Sequence, residues 1–387
     1  MRRSFLSPSL LALALAAVPA ACSSRDSSPA QPLPANDAAV DANGADTAPE
    51  AWDAIAPDAE SDGSADAAPD AEPDAGPPPP PTADSIQFKV LAPLPQGEQL
   101  LFNEWGASPN KLFSMTPDGA VTTPVLQALR IWSFGVSHDA SRIAFSCADP
   151  DQQAHFGITM GDAIQHTWLF DTATQVPELL AYGNLNDECH VFGPGDTTLY
   201  VCRRYDFDDL GHFKGWRIGK IDPSTKDFAF LTPDLPNTYD LFPQPLPDGI
   251  SLLFGRIELQ GTKQNPSVLQ MSLPDGTPTT LRTDGGRPAL SPDGTRYVYQ
   301  NSADAHTLYS SKLDGTDPVK VTNAQASEPA WSPDGASIAY LVWDNAAGCS
   351  HLDVVASDGS EAAAPKRLRD CSLTGDFMTQ LAWVVRP

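Results

Sequence analysis

From Ile86 onward the chain sets short runs of apolar and aromatic residues between clusters of Pro, Asp and Gly, and within a run side chains alternate with a period of two. Ile338 and Tyr340 fall on one side and Ala339 and Leu341 on the other, which is the pattern of a strand. The runs recur. Ala289-Leu290-Ser291-Pro292-Asp293-Gly294 and Ala330-Trp331-Ser332-Pro333-Asp334-Gly335 are the clearest copies. Weaker ones lie at Ser137-His138-Asp139-Ala140, Gly193-Pro194-Gly195-Asp196 and Pro247-Asp248-Gly249, and a degenerate first copy at Pro95-Gln96-Gly97. Counted at the position of Gly335, the copies stand at 97, 140, 196, 249, 294 and 335. Those spacings are the size of a four-stranded blade.

Each copy is first of all a turn. Pro sets φ at the first corner, Asp accepts from nearby N–H groups, and Gly takes the positive φ that reverses the chain. A second turn follows in most units, at Pro117-Asp118-Gly119, Pro274-Asp275-Gly276, Asp314-Gly315 and Asp358-Gly359. Two hairpins per unit predict an all-β fold, a six-bladed β-propeller of four-stranded antiparallel blades over residues 86–387, with a seventh blade as the alternative. Leu381-Ala382-Trp383 repeats Pro329-Ala330-Trp331 without a following turn. It is expected to supply the innermost strand of the first blade, while Ile86 to Leu91 pairs with a neighbouring blade or takes that place itself. Ser332-Pro333-Asp334-Gly335 and Ser291-Pro292-Asp293-Gly294 resemble the WD40-like PD40 repeats of TolB-type β-propellers. That resemblance implies the fold over about 300 positions and says little of function.

Composition divides the chain. Residues 23–85 carry 14 acidic side chains and one basic one, and repeat Pro-Asp-Ala before Pro77 to Pro81. Such a segment has too little apolar surface to offset the entropy of ordering, so 22–85 reads as a disordered tether. Residues 1–21 read as a signal peptide, with Arg2 and Arg3 before the apolar run Leu10 to Val18. Arg2-Arg3-Ser4-Phe5-Leu6 is similar to the core of a twin-arginine signal. Ala20-Ala21-Cys22 resembles a bacterial lipobox, which implies lipidation at Cys22 and an outer-membrane-anchored lipoprotein facing the periplasm or the cell surface; cleavage that leaves a free periplasmic protein is the alternative. The formal net charge of −25 excludes partners chosen by a basic surface, such as nucleic acid. The membrane is expected to be met only through the lipid.

Five cysteines follow Cys22. Cys189 and Cys202 lie equidistant from the turn at 194–197, and Cys349 and Cys371 flank the last hairpin, so these two bridges are expected, with Cys147 buried and free. A link from Cys147 to Cys189 or Cys202 is the competing pairing. No Gly-x-Ser-x-Gly, His-Glu-x-x-His, phosphate-binding glycine loop or Cys-x-x-Cys is present. Asp206, Asp208 and Asp209 form a possible ligand loop whose carboxylates could hold calcium; no other cofactor is expected. The long segments 149–167 and 203–216 are expected to carry specificity, with Trp168 and Trp216 read as core. The sequence thus favours a non-enzymatic binding platform for envelope proteins or glycans. The alternative is a polysaccharide-active, lyase-like enzyme with a metal site in the propeller funnel, which would need His190, His306 or His351 to point inward.

Overall fold

The computed structural model describes residues 78–105, 108–159, 161, 163–274, 276–344, 348–370 and 377–387. Cys22, the signal segment and the tether up to residue 77 lie outside them. The described residues form six antiparallel blades. Blade two shows the plan: Ile131–Val136 is its inner strand, followed outward by Arg142–Ala148, Gln165–Asp171 and Pro177–Leu179. The inner strands of blades three to six are Leu185–Phe192, Thr238–Pro245, Gly285–Leu290 and Ser327–Trp331. Single parallel bridges, Gln165 to Asn186 and Trp216 to Tyr239, tie blades two, three and four together at one end.

Strand alternation explains where the core sits, because consecutive side chains enter different clusters. Ile338 and Tyr340 pack toward blade five, with Val298 and Leu308. Ala339 and Leu341 pack toward blade one, with Leu100, Phe102 and Leu381. Ile143 and Phe145 likewise face blade one while Ala144 faces blade three. Six apolar clusters result, one between each adjacent pair of blades. Trp168 and Trp216 are core residues, as expected.

The ring closes with the C-terminal strand. Phe377–Arg386 pairs antiparallel with Gly97–Trp105 and supplies the inner strand of blade one. Pro95-Gln96-Gly97 is therefore a repeat copy whose preceding strand comes from the other end of the chain. Gln380 completes the seam: its amide accepts from Phe134 N (2.9 Å) and donates to Phe134 O (2.7 Å) in blade two. The segment at Ile86 to Leu91 does neither of the things expected of it. Lys89–Val90 pairs with Thr122–Ala128 as an extra outermost strand of blade one. The inner place is already filled, and Ile86 and Phe88 find burial against blade two, where Phe88 meets Phe145 and Phe170.

The turns behave as their residues require. Ser332 Oγ donates to Asp334 Oδ1 (2.6 Å), which also accepts from Ala336 N (2.9 Å). The Ser291–Asp293 and Ser137–Asp139 turns repeat this. The marker position has positive φ in all six copies, including the two without glycine, Ala140 (53°) and Asp196 (56°). Hydrogen bonds hold the turn carboxylates ionised: the Ser141 hydroxyl and backbone, then Ser137, bring Asp139 down to about 2, and the Ser291 and Ser332 hydroxyls lower Asp293 and Asp334.

Two outcomes are expected. Gln380→Ala leaves the buried Phe134 N–H and C=O unpaired, which costs about 2–4 kcal/mol; an unchanged urea midpoint would show that the seam does not depend on this amide. Second, a carboxylate whose folded pKa is depressed stabilises the fold above its unfolded value near 4, and that contribution is lost as pH falls toward 2. The urea midpoint should therefore drop between pH 4 and pH 2, and the triple variant Asp139→Asn, Asp293→Asn, Asp334→Asn should show a shallower drop.

Candidate binding funnel

The site follows from one irregularity repeated six times. Each inner strand slips register by one residue against its neighbour at the same level, between Phe102 and Glu104, Ile131 and Phe134, Tyr200 and Cys202, Leu241 and Gln244, Gly286 and Ala289, and Ser327 and Ala330. Counting seven residues back from each turn marker gives Ser133, Cys189, Phe242, Arg287 and Glu328, and Gln380 matches them in blade one. Cys189, Phe242, Arg287 and Glu328 take positive φ (49–56°). A bulge re-aims a side chain without breaking the sheet. Five of these residues, all but Ser133, line an axial cavity of about 450 Å³.

From that level the cavity widens toward the Pro-Asp-Gly face, where His138, Pro292, Pro333 and Val385 form its mouth. Phe134, Phe192, Leu290, Trp331 and Trp383 line its wall. Trp331 Nε1 donates to Ala289 O (3.0 Å), fixing the indole across the junction of blades five and six. The polar groups are few, and most are committed: Gln380 to Phe134, Gln244 Oε1 to Leu290 N, His138 Nδ1 to Asp196 Oδ1. Arg287 and Glu328 form the ion pair at the floor, with Arg287 Nη1 2.8 Å from Glu328 Oε1. The size and the balance of apolar wall with a few oriented polar groups are those of a ligand site.

Pro292 and Pro333 thus stand at the mouth, while Asp293 and Asp334 are spent on their own turns, together with Gly294 (φ 70°) and Gly335 (φ 72°). A second cavity of about 620 Å³ lies beside them between blades five and six. The other face carries the long segments. Ile158, Ile164 and Phe207 share a small apolar cluster, and Thr159 N and Oγ1 both donate to Asp209 O, so the segments of blades two and three brace each other. The acidic loop does not converge. Asp206 pairs with Lys214 (2.6 Å), Asp208 accepts from His212 N and Nδ1, and Asp209 is engaged through its carbonyl. Nor do the three histidines meet. His190 is buried between blades two and three, His306 sits in a turn of blade five, and His351 on the third strand of blade six bonds Arg367 and Asp344. Among the described residues no group of three or more His, Cys, Asp and Glu is placed to hold a metal ion.

Cys189 and Cys202 form a disulfide, Cα–Cα 5.4 Å, and Cys147 is buried and free. The hairpin symmetry that suggested the pairing holds as far as Tyr200 opposite Val191; beyond the bulge Cys202 lies opposite Glu188, and Cys189 falls in the bulge. Cys349 is disulfide-bonded, while Cys371 lies outside the described residues. Beside the bridge runs a buried polar chain. Thr167 donates its hydroxyl to Asp187 (2.8 Å), so it accepts from His190 Nε2, and Ser133 Oγ donates to His190 Nδ1. Arg203 completes the chain with two bonds to Asp187 (2.6 and 2.7 Å). Burial presses His190 down to about 4, so it is neutral at pH 7.

The bulge residues were missed by a reading that stopped at the turns. The same repeat alignment carries them, since a fixed offset from each marker puts them on one ring.

No protein-family model matches this chain. Over 84 residues it is 31% identical to the uncharacterized peptidase YuxL of Bacillus subtilis (strain 168), a match that covers 19% of this chain and only 13% of that protein. Among solved structures, TolB from Acinetobacter baumannii is similar with a TM-score of 0.56 and 17% identity, covering 76% of this chain and 68% of that one. A TolB-type protein of Agrobacterium tumefaciens gives 0.50 and 15%, covering 75% and 99%. The chain therefore has the TolB-like propeller fold.

A neutral buried histidine stabilises the fold fully above its unfolded pKa near 6.5 and progressively less as pH falls toward 4. The expected loss across that window is on the order of 3 kcal/mol. In His190→Gln the dependence should flatten; an equally steep fall in the variant would assign it to other groups.

Proposed function

We propose that this protein is a bacterial envelope lipoprotein, anchored through Cys22, whose propeller binds a segment of a partner protein in its axial funnel. The observation that carries the reading is the funnel itself: a wall built from the six inner strands, largely apolar and aromatic, with one ion pair at the floor. Such a surface gains free energy by burying apolar side chains, and its few polar groups orient the bound segment. The fold likeness to TolB proteins is consistent with a partner-binding role in the periplasm. The acidic stretch 22–85 would serve as the spacer that holds the ring off the membrane. At ~3.1 Å per residue a proline-rich spacer is stiff where its prolines run together. The lyase-like alternative gains nothing from His190 and His351, which are hydrogen-bonded at separate places, or from His306, which sits in a turn of blade five.

The test places a photo-cross-linking residue at Val385, on the funnel mouth and 44% exposed, or at Leu210, in the long segment of the other face and 60% exposed. In the native envelope the Val385 probe should capture one defined protein and the Leu210 probe should not. Capture only from Leu210 would move the binding surface to the other face, and capture from neither would overturn the platform reading. Cys22→Ser should release the protein from the membrane fraction; if it stays bound, the lipid anchor is wrong.

A further inference from the structure

We propose that the floor of the funnel recognises a cationic side chain, lysine or arginine, carried by the bound segment, with Glu328 as its counter-ion. This rests on the funnel being the binding surface and adds what kind of segment it selects.

The case begins with how Glu328 is held. It sits at the bulge with φ 49°, an arrangement that turns a charged side chain toward the axis where the regular strand would have packed it between blades. Its side chain is 22% exposed, and the cavity it lines is the funnel. Among the described residues one hydrogen bond reaches its two oxygens, from Arg287 Nη1. Arg287 is itself drawn to the other side, its guanidinium 5.2 Å from the centre of the Phe242 ring. Burial pushes the Glu328 carboxyl up despite that arginine, so a second cation beside it would favour its charged form. A second positive charge arriving from the mouth would meet a free acceptor in a water-poor site, where a charge-assisted bond is strong.

The surroundings favour a cation over an anion. Among the described residues Glu328 is the only acidic one on the funnel lining and Arg287 the only basic one apart from histidine, so the floor has no surplus of positive charge to offer a carboxylate. Residues 86–387 hold 35 acidic and 21 basic side chains, a field that draws cationic segments inward and repels acidic ones. Above the floor, the indoles of Trp331 and Trp383 can receive the aliphatic stem of a long cationic side chain.

The probes are N-acetyl-arginine amide and its uncharged isostere N-acetyl-citrulline amide, titrated into the full-length protein at pH 7.5 and followed by ligand-observed NMR. The arginine probe should bind roughly tenfold more tightly. Glu328→Gln should bring the two to equal affinity, and Glu328→Asp, which keeps the charge in a residue tolerant of positive φ, should restore most of the preference. Equal binding of both probes to the native protein, or a preference that survives Glu328→Gln, overturns the proposal. So does tighter binding of N-acetyl-glutamate amide that is lost in Arg287→Met. The Val385 cross-link separates the two readings. If it captures a partner in both native protein and Glu328→Gln with equal yield, the funnel binds protein but not through this charge. If it captures nothing, the platform reading itself has failed.

Discussion

Because side chains alternate across every strand, each blade sends some of its apolar residues to one neighbour and the rest to the other, and six of the seven apolar clusters among the described residues lie between blades. A blade standing alone would have two wet apolar faces. Its stability is thus conditional on both neighbours, and the condition passes around the ring until it returns to blade one. There it is met by a strand from the far end of the chain, so the packing of Leu100 and Phe102 against blade six requires the pairing of Gly97–Trp105 with Phe377–Arg386. Long-range pairing of this kind is slow to form and cooperative once formed.

The same geometry makes the funnel. Six strands packed at a shared axis leave a central space, and the bulges decide which side chains enter it. Scaffold and site are not independent here: the turns that end the inner strands of blades two, five and six also form the mouth, and Asp139, Asp293 and Asp334 are consumed in holding them. Chemistry is left to the residues seven positions earlier, which no turn requires and which differ from blade to blade, from Gln380 through Cys189 and Phe242 to Arg287 and Glu328.

Most of the architecture was legible because it rests on local rules. Pro-Asp-Gly spacing marks the hairpins, alternation assigns the faces, and the turnless copy at Leu381-Ala382-Trp383 points to the closing strand. What was not legible depends on non-local geometry. The Cys189–Cys202 pairing was anticipated from hairpin symmetry, yet that symmetry fails at the bulge; the bridge forms because Cys189, in the bulge, swings back toward Cys202. Ile86 to Leu91 was placed wrongly because a short apolar run does not say which edge of a blade will accept it. Asp206, Asp208 and Asp209 look convergent in one dimension, but Lys214 and His212 draw the first two apart.

The extra outer strand of blade one has a mechanical meaning. The chain enters the ring through Lys89–Val90, paired over two residues at the rim, whereas the closing strand spans ten residues at the hub. A pull on the N-terminal segment therefore falls first on the packed Ile86 and Phe88 and on this two-residue ladder, before any load reaches the strand that keeps the ring shut. The edge strand works as a fuse, and the funnel lies on the protected side of it.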